Sequence, residues 1–210
     1  MHTLHYSPGA ASMAVHWLLI ELDLPHELRL VDFATRAQKR PEYLALNPHG
    51  VVPTLVIDGR PHREAAALLL HLADAHSGAG FAPAPDSTQR IDFLQWMFHL
   101  ANVVQPLFRM WWYPHEPAGE GNEAAVHAAT APRIEAEWAR IDAQLEGQGP
   151  YLLGAAPSAA DFYLTMLMRW SRNMPRPATD WPRLAELARL MKARPAFRTL
   201  YAREALEEWA

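Results

Sequence analysis

The spacing of apolar and polar positions changes character part-way along this chain. Up to about residue 75, short runs alternate with turn signals. Residues 3–6 form a short strand candidate, and Ser7-Pro8-Gly9-Ala10-Ala11-Ser12 reads as a turn. Met13 to Leu22 follows a helical pattern that stops before Pro25. From His26 to Val31, Glu27 and Arg29 are set against Leu28, Leu30 and Val31, which predicts a strand. Residues 35–46 are polar and irregular, a helix or a loop. Leu55–Ile57 is rich in strand formers, Asp58-Gly59 is a tight turn, and Arg60-Pro61-His62-Arg63 supplies the other arm of a hairpin. Glu64 to Ala75 is strongly helical. The predicted order is β-α-β-α-β-β-α. A strand–helix–strand opening implies a parallel pair with a crossover helix.

Gly78-Ala79-Gly80-Phe81-Ala82-Pro83-Ala84-Pro85 reads as a linker. Beyond it the strand signals vanish. Helices are predicted at about 87–112, 123–147, 158–172, 181–192 and 196–207, with an exposed loop at Tyr113–Asn122. The division is therefore an α/β domain over 1–77, a linker over 78–86 and an all-α domain over 87–210. Ser158-Ala159-Ala160-Asp161 precedes the apolar run Phe162–Leu167 and reads as a capping box at the start of a buried helix.

Composition narrows the function classes. The chain has 210 residues, half of them apolar, enough for a sizeable core. Net charge is −4 with no basic stripe, which speaks against nucleic acid as a partner. No apolar run is long enough to span a bilayer. Met1–Tyr6 lacks a basic, then apolar, leader pattern, so the expected location is the cytoplasm. With no cysteine, disulfides, thiolate metal sites and an enzyme thiol nucleophile are excluded. His71 and His76 are five apart and His2 and His5 lack an acidic companion, so no metal site is expected. Eight tryptophans, most of them in the second half, predict an aromatic core or pocket there.

One stretch points to a ligand. Asn47-Pro48-His49-Gly50-Val51-Val52-Pro53 runs into the Thr54–Ile57 strand, and Glu64 follows at a helix start. A proline opening a strand gives up a backbone donor, and X-Pro is the bond that adopts cis at low cost. Main-chain groups left free beside it suit an extended peptide.

These residues resemble the cytosolic glutathione transferases. The 47–53 stretch is similar to their N-P-x-G-x-V-P signature, Glu64-Ala65 to their Glu-Ser or Glu-Ala pair, and Ser158–Asp161 to their capping box. Tyr6-Ser7-Pro8-Gly9-Ala10-Ala11-Ser12 resembles the bacterial beta-class opening Y-x-P-G-A-C-S, with Ala11 in place of the cysteine. The resemblance covers essentially the whole chain. It implies a thioredoxin-like N-terminal domain, an all-α C-terminal domain, and glutathione as co-substrate with no metal. It also implies a small hydrophobic electrophile and a homodimer.

Residue by residue, the resemblance implies that the Val52 main chain, before Pro53, pairs with the cysteinyl amide of glutathione. Glu64 would meet the α-amino group, and the Ala65 N–H the γ-glutamyl carboxylate. Arg36 would approach the glycyl carboxylate, with a solvated surface arginine as the alternative. His49 would line the site or lie on the turn surface. For the sulfur, Ser12 is the leading hydroxyl, with an N-cap role as the alternative; Ser7 and Tyr6 are weaker candidates, and backbone N–H groups alone are a further one. Gly9 leaves the theta- and zeta-type serine position empty. The electrophile pocket would draw on Gln105, Phe108, Trp111 and Trp112, with helical core as the alternative for each. The competing function is a non-catalytic ligand- or protein-binding member of the same fold.

Overall fold

The computed structural model describes residues 2–209. Two compact units emerge: one takes the chain up to Ala84 together with the stretch from Lys192 onward, and the other is Pro85–Met191. The first holds a four-stranded sheet in the order β2-β1-β3-β4. Its strands are β1 (His2–Tyr6), β2 (His26–Leu30), β3 (Thr54–Ile57) and β4 (Arg60–His62). β1 runs parallel to β2, with α1 (Ser12–Glu21) as the crossover. β3 pairs antiparallel with β1 and with β4. The expected β-α-β-α-β-β-α order is therefore observed. Its polar second helical segment is a 3₁₀ turn at Ala37–Lys39 followed by the short helix α2 (Pro41–Leu44).

Leu4 and Leu55 face each other across β1 and β3 and are fully buried. α1 is buried all the way round, from Ser12 to Leu19. A helix apolar on every face needs cover on every face. It receives it from the sheet, from α3 (Ala65–Ala75) and from a C-terminal helix, α10 in chain order (Pro195–Glu204). Trp17 of α1 packs on Phe197 of α10 with ring centroids 5.0 Å apart. The C-terminal stretch thus carries Phe197, Leu200 and Tyr201 into the core of the α/β unit, a long-range pairing that periodicity does not encode.

The second unit is helical. The predicted 87–112 helix is α4 (Arg90–His99), a π-turn over Leu100–Val104, and α5 (Gln105–Trp112). Pro106 explains the break: it has no N–H for the Asn102 carbonyl, so the ladder widens locally. The loop predicted at Tyr113–Asn122 contains the short helix α6 (His115–Ala118). α7 (Glu123–Gln148) and α8 (Ala159–Trp170) follow, then α9 (Pro182–Lys192). α8 is buried from Ala159 to Arg169 and forms the centre of this unit. Its start is the predicted capping box. Asp161 accepts from the Ser158 N–H at 2.7 Å, the Ser158 hydroxyl at 2.8 Å and the Leu152 N–H at 2.9 Å. Burial pushes this carboxyl up to about 6, while those donors pull it the other way. No helix among the described residues is long and apolar enough to cross a membrane.

Candidate functional site

The sheet register gathers the predicted ligand segments at one end of the α/β unit. His5 of β1 lies opposite Thr54 of β3, so Tyr6-Ser7 emerge beside Val52-Pro53. Leu55 lies opposite His62 of β4, so Arg63-Glu64 leave β4 at that same end. Tyr6 pairs with Leu30 of β2, which brings the segment leading to Arg36 there as well.

Val52 is built to present its main chain. The Val52–Pro53 bond is cis. The Val52 side chain is buried in a cluster with Val31 and Tyr43. The Val51 carbonyl accepts from the Tyr43 hydroxyl and from Asn47 Nδ2, each at 2.7 Å. A planar trans peptide points its C=O and N–H in opposite directions, so anchoring that carbonyl inward turns the Val52 N–H outward. Neither the N–H nor the C=O of Val52 has a hydrogen-bond partner among the described residues. Tyr43 and Asn47 thus fix the Val51 carbonyl, a contact that sequence reasoning assigned to neither. Asn47 carried a readable signal: its Oδ1 accepts from the His49 N–H at 3.1 Å, the turn asparagine commonly makes. Tyr43 gave none beyond being an aromatic in a polar stretch. Its hydroxyl also meets Thr54 Oγ1 at 2.9 Å, and burial pushes its acidity down.

Gly50 sets the turn that delivers Val52. Its φ is +61°, and a Cβ there would lie 2.7 Å from the Gln38 carbonyl oxygen. Gly50→Ala is expected to destabilise the protein by about 2 kcal/mol, from left-handed strain plus a backbone clash. Chemical denaturation measures this; a midpoint equal to wild type would mean that the turn relaxes freely.

Glu64 precedes α3 with φ 68° and ψ 108°, outside the comfortable regions for a side-chain-bearing residue. Its exposed carboxylate has no partner among the described residues, and the same holds for the N–H groups of Ala65, Ala66 and Ala67. A strained residue thus holds a free acid beside an open helix N-terminus, which can meet an ammonium and a carboxylate together. Arg36, also with positive φ (54°), is exposed, and its guanidinium is unpartnered among the described residues. His49 is exposed; Lys39 Nζ donates to its carbonyl at 3.3 Å, and its ring has no hydrogen-bond partner among the described residues.

The opening loop changes the order of the sulfur candidates. Ser12 is fully buried, and its hydroxyl is spent within the loop: it donates to the Ser7 carbonyl and accepts from the Ser7 N–H, both at 3.2 Å. Ser12 therefore acts as a clasp that closes the 7–12 turn. Tyr6 is half-buried against His16, ring centroids 5.9 Å apart. Burial, then the Glu204 charge, makes its phenol a weaker acid. The Ser7 hydroxyl has no partner among the described residues, nor do the N–H groups of Ala11 and Ser12 at the start of α1. Among the described residues, no group of acidic and histidine side chains could hold a metal.

In the helical unit, Phe108 is fully buried against Trp138 and Trp170 (5.8 and 6.0 Å), so it is core and not pocket wall. Gln105 accepts from the Tyr163 hydroxyl. Trp111 stacks on His127 at 4.4 Å, and Trp112 is 42% exposed.

Comparison with known proteins bears on the family and the fold. Residues 4–80 match the glutathione S-transferase N-terminal domain and residues 124–203 the glutathione S-transferase C-terminal domain. The glutathione S-transferase GST-4.5 of Xanthomonas campestris pv. campestris is 34% identical over 174 residues, covering 81% of this chain and 82% of that one. The chain belongs to the glutathione S-transferase family. A glutathione transferase homologue from Sulfitobacter, solved with bound glutathione, superposes with a TM-score of 0.91 at 28% identity, covering 98% of this chain and 99% of its own. The beta-class Sphingomonas chungbukensis enzyme gives a TM-score of 0.85 at 26% identity over 98% of this chain and 100% of its own. In this glutathione S-transferase, Ala11 stands where the beta-class signature has cysteine.

Proposed function

We propose that this family member binds glutathione at the α/β unit and stabilises its thiolate for conjugation to a small hydrophobic electrophile. The observation that carries the reading is Val52, whose side chain is packed while its outward main chain has no hydrogen-bond partner among the described residues. The cysteinyl amide of glutathione pairs there like a short antiparallel strand. Glu64 takes the α-ammonium and the Ala65 N–H the γ-glutamyl carboxylate. Arg36 faces the glycyl carboxylate, and His49 lines that side. The sulfur lies against the N-terminus of α1. There the Ser7 hydroxyl and the Ala11 N–H favour thiolate over thiol, and the thiolate is the nucleophile. On the helical unit, Trp111, Trp112 and Gln105 are the residues for the electrophile, and the working form is a homodimer in the cytoplasm.

The loss of the beta-class cysteine and the burial of Ser12 favour a second reading, a glutathione binder without turnover. Turnover of an activated aryl halide separates the two. Ser7→Ala is expected to lower kcat/KM about tenfold, the scale of one hydrogen bond to a charged group. Ser12→Ala is expected to cost about 1 kcal/mol of stability and leave kcat within about threefold. A large loss of kcat in Ser12→Ala alone would return the sulfur to Ser12. No turnover in wild type, with glutathione bound, would support the second reading.

A further inference from the structure

The loop that meets the sulfur is tied to the far end of the chain. The Gly9 N–H donates to Glu204 Oε2 at 2.8 Å. The other oxygen, Oε1, lies 2.7 Å from His16 Nδ1. Glu204 is the last residue of α10 and is 1% exposed; the His16 and Glu204 side chains are both at 0%. A buried carboxylate survives only with its oxygens satisfied, and both are.

The geometry has a mechanical meaning. Local bonds close the loop on itself: the Ser12 clasp, Ala10 N–H to the Ser7 carbonyl at 3.1 Å, and Met13 N–H to the Ala10 carbonyl at 2.9 Å. None of these fixes the loop against the rest of the unit. Glu204 does, across 195 residues of sequence. Gly9 sits at φ 65° between Ser7 and Ala11, the two residues assigned to the sulfur. His16 holds the carboxylate from the other side, so the charge cannot swing toward a ligand's sulfur. α10 is itself secured by Trp17–Phe197 and by the Arg194–Glu21 ion pair.

We propose that Glu204 is a positioning residue for thiolate stabilisation: its carboxylate, braced by His16, holds Gly9 so that the Ser7 hydroxyl and the Ala11 N–H converge on the glutathione sulfur. The proposal rests on the glutathione reading above. Electrostatic stabilisation depends on donors fixed in advance, and a loop free to shift loses that advantage without losing the distant tripeptide contacts.

The test titrates the ultraviolet thiolate absorbance of the glutathione complex in wild type, Glu204→Ala and Glu204→Gln. Glu204→Ala is expected to raise the bound thiol pKa by on the order of one unit, a tenfold loss of thiolate at neutral pH. Its glutathione Kd should stay within about threefold, because Val52 and Glu64 are untouched. Glu204→Gln should titrate like wild type, since its amide oxygen can accept from Gly9 and its NH₂ can donate to His16 Nδ1 in the tautomer that leaves this nitrogen an acceptor. An unshifted thiol pKa in Glu204→Ala overturns the proposal, as does an equal rise in Glu204→Gln. If Glu204→Ala does not fold, amide exchange in wild type decides. The Gly9 amide should exchange within about tenfold of Leu200 and Tyr201 in α10, because loop and helix open together. A Gly9 amide exchanging a hundredfold faster than those, roughly the scale of an untethered loop, overturns it. Failure of wild type to bind glutathione at all would instead sink the functional reading, while the exchange result would still report on the tether.

Discussion

Asp161→Ala is expected to lower the folding free energy by about 3 kcal/mol at neutral pH, among the largest effects of a single side chain. The variant strips the acceptor from three buried donors: the Ser158 N–H, the Ser158 hydroxyl and the Leu152 N–H. A buried donor left without a partner costs about 1–3 kcal/mol, and removal of a buried charge offsets part of the sum. The effect also carries a pH signature. Burial raises the folded-state carboxyl from 3.8 to about 6, so the native state binds a proton that the unfolded state releases. Stability from this group therefore rises as pH falls through about 6 towards 4 and is lost as pH rises. The gap between wild type and Asp161→Ala should widen by roughly 2 kcal/mol from pH 7 to pH 4.5. Denaturant melts of both proteins across that range measure it. A gap that narrows on acidification would show that the carboxylate is held ionised by its donors, against the burial that dominates here.

Glu64→Gln is expected to weaken glutathione binding by about ten- to a hundredfold, since a charge-assisted hydrogen bond to the α-ammonium contributes about 1.5–3 kcal/mol. The melting temperature should not move. Glu64 is exposed and its side chain caps nothing, so the unliganded protein loses no contact. Glutamine also keeps the shape and the φ of 68°, so backbone strain is the same in both proteins. Calorimetric titration with glutathione and a thermal melt together make the test. Equal affinities would remove Glu64 from the ligand contacts and leave the strained turn unexplained.

Much of this was legible in the sequence. The strand–helix–strand opening, the hairpin at Asp58-Gly59 and the capping box are local signals, and each maps to a local structure. The turn into β3 was legible for the same reason: Gly50 and Pro53 are residues whose backbone chemistry is fixed by type. What escaped was non-local. Nothing in residues 195–204 says that Glu204 reaches back to Gly9, or that Phe197 packs on Trp17. The bonds between the Ser12 hydroxyl and the Ser7 main chain are likewise invisible in the motif, because they depend on how the 7–12 turn closes. At Phe108 the sequence left pocket wall and core open, because an aromatic on an amphipathic helix reads alike for both.

On the proposed reading, the chain both holds glutathione and ionises it without an enzyme cysteine. An ultraviolet titration of the wild-type complex, with protein above the glutathione Kd, tests this most directly. A bound thiol pKa at least about one unit below the cysteine value of roughly 8.5 is the predicted result. A saturated complex whose thiol titrates like the free tripeptide would contradict it.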